Sequence, residues 1–94
     1  MLNVTEASLC RLSRKLTRKK VAADMAFRFT HTSAGWSLGP DRARSADTVF
    51  THDGRNVLFL DQAVSRAMTH LTLRVGKTAT GPRLRLRRMT NEPN

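Results

Sequence analysis

The chain has 94 residues, 39% of them hydrophobic, and carries 17 Lys and Arg against 7 Asp and Glu, a formal net charge of +10 at pH 7. A length of this order builds one core, and no apolar run approaches the roughly 20 residues that a membrane-spanning helix requires, so membrane insertion is not expected. The single cysteine, Cys10, excludes an intramolecular disulfide and any multi-cysteine metal or cluster site.

Residues 2–4 read as a short entry strand. Thr5 then offers the hydroxyl of a helix N-cap, Glu6 places negative charge at the positive end of the helix dipole, and Val4 with Leu9 has the spacing of a hydrophobic staple. The helix that begins at Glu6 is expected to bury Leu9, Leu12 and Leu16. It carries Arg11, Arg14, Lys15, Arg18 and Lys19 on its outer surface and frays near Lys20. Cys10, beside Leu9 in this pattern, behaves as a small hydrophobe with no base placed to activate its thiol. Nothing in residues 1–16 has the uninterrupted apolar segment of a secretory signal, so a cytoplasmic location is the expectation.

Met25, Phe27 and Phe29 alternate with Ala26, Arg28 and Thr30, which predicts a strand with the first three inward. Residues 31–45, HTSAGWSLGPDRARS, have no clear period. Trp36 and Leu38 suit a short strand, and Gly39-Pro40-Asp41 reads as a turn.

The stretch 47–75 carries the densest signals. Asp53-Gly54 is the dipeptide of a type I′ turn, flanked by Thr48-Val49-Phe50 and Val57-Leu58-Phe59-Leu60, so a hairpin is predicted. Its second arm is apolar on both faces and therefore needs cover above and below. Asp61 can cap a short helix with Val64, Ala67, Met68 and Leu71 on the face toward the sheet. From Leu71 the period falls to two, with Leu71, Leu73 and Val75 inward and Thr72 and Arg74 outward. Residues 76–82 read as a loop, 83–87 as a last alternating strand with Leu84 and Leu86 inward, and 89–94 as a disordered polar tail.

The chemistry-bearing motifs are few. Gly76-Lys77-Thr78 is not a phosphate-binding loop, because Leu71 stands where that motif needs its first glycine and a strand follows. His31, His52 and His70 are widely spaced, and His52 beside the Asp53-Gly54 turn reads as a solvated hairpin residue. Turn and cap duties account for most of the aspartates, no nucleophile and base can be paired by spacing, and no enzyme is expected.

The order strand, helix, strand, irregular loop, hairpin, short helix, strand, strand, with the texts VTEASLCRLSRKL, FRFT, ADTVFTHDGRNVLFLD, LTLRV and GPRLRLRR, resembles the HesB-like family of A-type iron-sulfur cluster carriers. The likeness runs over residues 2–88, read as one domain. It implies an α+β fold: a small mixed sheet or sandwich with an N-terminal helix and a second short helix. It would also imply a cluster held by one cysteine in the loop after the 25–30 strand and by a Cys-Gly-Cys pair near the C-terminus. Those ligands are absent, since the loop reads Thr32-Ser33-Ala34-Gly35-Trp36 and the chain continues through Arg87-Arg88-Met89-Thr90. A cluster needs soft thiolates, so no cofactor is expected.

What remains is an accessory or interaction protein, its partner another protein. The alternative is a sequence-independent binder of nucleic acid or another polyanion through the basic faces formed by Arg11, Arg14, Lys15, Arg18 and Lys19 on the helix and Arg83, Arg85 and Arg87 on the last strand. The plainer reading of both runs is a solvated surface. Of the 17 basic residues 13 are Arg, the better bidentate ligand for phosphate or carboxylate.

Overall fold

The computed structural model describes residues 2–88, and the expected polar tail at 89–94 lies outside them. The elements run β1 (Asn3–Val4), α1 (Glu6–Arg18), β2 (Met25–Thr32), β3 (Gly35–Arg42), β4 (Thr48–His52), β5 (Arg55–Leu60), α2 (Gln62–Ala67), β6 (Leu71–Thr78) and β7 (Gly81–Arg88). They form a four-stranded sheet in the order β3-β2-β5-β4 and a three-stranded sheet in the order β1-β6-β7. The pairs β2·β5 and β1·β6 are parallel and the others antiparallel, so both sheets are mixed. Helix α1 contacts β2, β4 and β5 of the first sheet and β6 of the second, and thereby joins the two.

The start of α1 follows from Thr5, whose hydroxyl accepts from the Ser8 amide at 3.2 Å. Leu12 and Leu16 are fully buried, while Leu9 is half-buried and packs at the margin of the core. Ser8, which the apolar pattern did not single out, is fully buried as well. Its hydroxyl donates to the Leu73 carbonyl of β6 at 2.9 Å, and the same carbonyl accepts from the Thr5 amide at 3.1 Å. The first turn of α1 is thus fastened to the second sheet by two hydrogen bonds on one acceptor. The core they close includes Leu2, Phe27, Phe59, Leu60, Met68 and Leu73.

The β4–β5 hairpin matches its sequence signal. Asp53 and Gly54 both have positive φ, 51° and 77°, and His52 pairs with Arg55 around them. Residues 57–60 are buried on both faces of β5, and Asp61 caps α2 by accepting from the Val64 amide at 2.8 Å. Val64 and Met68 face inward as expected, but α2 ends at Ala67, which is exposed, and Leu71 is already the first residue of β6.

Three expectations are corrected. Residues 26–29 of β2 are all buried, Arg28 included, because β2 lies inside the sheet between β3 and β5 and both of its faces are covered. Residues 35–42 are a full strand, paired with β2 from Met25↔Arg42 to Thr32↔Gly35. Pro40 sits within it opposite Phe27, a position open to proline because β3 is an edge and needs no donor on its outer side. The supposed loop at 76–82 is mostly strand, since β6 reaches Thr78 and β7 begins at Gly81.

Both shortened turns use one device. In Thr32-Ser33-Ala34-Gly35 the threonine hydroxyl donates to the Gly35 carbonyl at 3.0 Å and accepts from the Ala34 amide at 3.2 Å. In Thr78-Ala79-Thr80-Gly81 it donates to the Gly81 carbonyl at 2.7 Å and accepts from the Thr80 amide at 3.2 Å. The glycines have φ of +116° and +114°, which side-chain-bearing residues rarely adopt.

Candidate anion-binding surface

Positive charge in this molecule divides into a compensated part and a free part. The compensated part centres on Arg28, 3% exposed. Its Nε donates to Asp41 at 2.8 Å, its Nη1 and Nη2 donate to the two oxygens of Asp47 at 2.8 and 2.6 Å, and Nη2 also donates to the Arg42 carbonyl at 2.9 Å. The guanidinium stands 5.6 Å from the ring centre of Phe59. This bidentate pairing is the strong form of a charge-assisted hydrogen bond. It holds the Asp47 carboxyl below the ordinary carboxylate range, outweighing burial, with the Arg44 amide assisting. Asp41 is lowered chiefly by the Arg42 amide, with Arg28 and Arg44 contributing against burial. Arg28 is raised above its ordinary value, first by Asp47. Arg44 reaches Asp41 at 3.1 Å and Arg42 reaches Asp24 at 3.4 Å.

The free part includes the set singled out in the sequence. Among the described residues none of Arg11, Arg14, Lys15, Arg18, Lys19, Arg83, Arg85 and Arg87 enters an ion pair. The reason is partly compositional: residues 62–88 contain no Asp or Glu. The β6–β7 register then sets Arg74 directly opposite Arg85 and Gly76 opposite Arg83. Directly opposed like charges on a sheet are destabilising. Arg85 lies across the bare backbone of Gly76, where an added Cβ would stand 2.7 Å from its Cδ.

The fold distributes the eight residues unequally. Arg11 and Lys15 are half-buried rather than fully outward, and with Arg83 they line a cleft of about 530 Å³ together with Leu38, Thr80, Pro82 and Leu84. Arg85 and Arg87 line a second depression of about 440 Å³ with Arg74, Gly76, Lys77 and Arg88. Arg14, Arg18 and Lys19 are exposed and line neither. Sequence reasoning missed Arg74, Lys77 and Arg88 as members of the cationic face, although the acid-free run that contains them was visible. It missed Thr80 and Pro82 because they were assigned to a loop.

The histidines do not converge. His31 is exposed with its ring 4.7 Å from Trp36, and His52 lies between Glu6 at 3.3 Å and Asp53 at 3.5 Å. His70 lines a separate depression with Ala67, Leu71 and Arg88. Among the described residues no group of three or more His, Cys, Asp or Glu side chains is arranged to hold a metal ion, and Cys10 is half-buried on α1. No helix among the described residues is long and apolar enough to cross a membrane.

No family model matches the chain, and no curated protein matches it. Solved structures do. The crystal structure of IscA with the [2Fe-2S] cluster superposes with a TM-score of 0.61 at 15% identity, covering 94% of this chain and 85% of that one. The crystal structure of Escherichia coli SufA, involved in biosynthesis of iron-sulfur clusters, superposes with a TM-score of 0.64 at 17% identity, covering 93% of this chain and 84% of that one. The chain therefore has the α+β fold of these two proteins, the fold that the HesB-like resemblance implied.

Proposed function

We propose that this chain is a non-catalytic binding module that uses the fold shared with IscA and SufA to present a cationic face to a polyanion, and that it carries no iron-sulfur cluster of its own. Support for the second half is chemical: one cysteine per chain, on α1, cannot supply the thiolates a cluster needs. Support for the first half is one observation, the set of eight cations on α1, its C-cap Lys19 and β7 that have no acidic partner among the described residues.

A phosphate backbone suits this face better than a folded protein does. Protein interfaces are organised around buried aromatic and apolar anchors. The one exposed large hydrophobic residue among those described is Val49, on β4 and away from β6 and β7. No aromatic side chain lines the cationic depressions to stack on bases, so we expect binding that is largely sequence-blind and governed by salt.

Fluorescence anisotropy with short duplex DNA tests the reading. Engagement of about six phosphates lowers affinity roughly 10³-fold between 50 and 200 mM salt. No binding at 50 mM salt overturns it. Anaerobic reconstitution with iron and sulfide tests the other half, which fails if an absorbance band forms that Cys10→Ala abolishes.

A further inference from the structure

The cleft holding Arg11, Lys15 and Arg83 differs from the β6–β7 depression in its lining, because Leu38, Pro82 and Leu84 stand beside its cations whereas the depression is lined by Arg, Lys and Gly alone. It lies where the edge strands of the two sheets, β3 through Leu38 and β7 through Pro82, Arg83 and Leu84, meet α1. Two cations one turn apart on α1, Arg11 and Lys15, line it together with Arg83 of β7, and none of the three has an acidic partner among the described residues. Convergence of like charges raises the free energy of the empty form, and an anion between them reverses the sign of that contribution.

A second observation points to a ligand. The Nε of Arg11 is shut away from solvent and has no hydrogen-bond partner. Buried polar groups in native structures are almost always paired, and an orphan calls for a missing ion or water. Nε does not face the cleft as it stands, and an anion there would have to turn the Arg11 side chain before Nε and one Nη could form the fork that matches two oxygens of a phosphate.

We infer that this cleft is a discrete site for the terminal phosphate of a phosphorylated small molecule. Arg11, Lys15 and Arg83 hold the phosphate, and Leu38, Pro82 and Leu84 line space for the group it is attached to. A phosphomonoester carries a charge of about −1.5 to −2 at pH 7, which three cations compensate. The volume of about 530 Å³ exceeds what phosphate alone fills and lies within the range of small-molecule pockets. The inference rests on reading these cations as anion ligands, but it concerns the cleft between α1, β3 and β7 rather than the β6–β7 depression.

The test is a titration of the full chain with inorganic phosphate and, separately, with adenosine 5′-monophosphate, followed by amide and arginine Nε–H NMR at constant ionic strength. Both probes are expected to give saturable shifts at Arg11, Lys15, Thr80 and Arg83, with the nucleotide the tighter of the two. Arg11→Gln and Arg83→Gln each weaken binding at least tenfold, while Arg87→Gln, outside the cleft, leaves it within twofold. Shifts that stay linear to 20 mM, or an Arg87→Gln variant as impaired as Arg11→Gln, overturn the inference. Duplex DNA on the same variants separates the two proposals. DNA binding without saturable phosphate binding sinks the pocket alone, and saturable phosphate binding without DNA binding sinks the polyanion reading alone.

Discussion

Replacing Arg28 by methionine keeps most of the side chain's length and removes its charge. It leaves Asp47, its side chain 1% exposed, without its bidentate partner and with only the Arg44 amide and the weaker pull of the Arg44 charge. Removing one partner of a buried ion pair costs about 3–5 kcal/mol, because the remaining charge stays desolvated. A chain of this size has about 5–14 kcal/mol of stability in all, so Arg28→Met forfeits a large share of it. The pH dependence adds a second handle. Asp47 and Asp41 have depressed folded-state values, so their contribution is fully present above the unfolded carboxylate value of about 4 and is lost as pH falls through the folded one. The deficit of Arg28→Met is therefore largest near neutrality and shrinks below about pH 4, where protonation removes the stranded charge. Urea unfolding followed by circular dichroism at pH 7 and pH 3.5 measures both quantities. Adding Asp47→Asn to Arg28→Met removes the unpaired charge and recovers about 1–2 kcal/mol at pH 7. A single-variant cost below about 1 kcal/mol, or a deficit indifferent to pH, refutes the account of this network.

Ser8→Ala removes the hydroxyl that donates to Leu73 and lowers stability by about 1 kcal/mol, read as a fall in Tm of roughly 4–8 °C. Gly35→Ala, at a φ of +116°, costs about 1–3 kcal/mol in denaturant unfolding, whereas Gly39→Ala, with open space around it, changes stability by less than about 0.5 kcal/mol. Asp61→Ala deprives the Val64 amide of its acceptor and costs about 1 kcal/mol by the same measurement.

Segments where a local rule dominates were readable in advance. Thr5 and Asp61 cap the two helices, Asp53-Gly54 makes its turn, and β5 is buried on both faces, because each is decided by a few neighbouring atoms. The errors share one cause, which is that a strand's exposure depends on what pairs with it. Arg28 was placed outward by alternation, but β3 and β5 flank its strand, and the two aspartates that neutralise it come from residues 41 and 47. Gly39-Pro40-Asp41 has turn composition, yet eight residues of pairing to β2 override it. The cationic residues were recognised singly. Their division between two depressions was not recognisable, because Arg11 and Arg83 line one cleft only once α1 has docked across the two sheets.

The pairing of Asn3 with Thr72 and of Val4 with Leu73 has a consequence for how the molecule is made. Leu2, Thr5 and Ser8 find their native surroundings only once β6 exists, so residues near the start of the chain wait on residues near its end. Closing such distant parallel contacts is entropically slow. On the ribosome α1 therefore emerges before all of the surface it packs against. While β2, β4 and β5 offer part of that surface earlier, the hydrogen bonds that fasten its first turn form only after synthesis has passed residue 73.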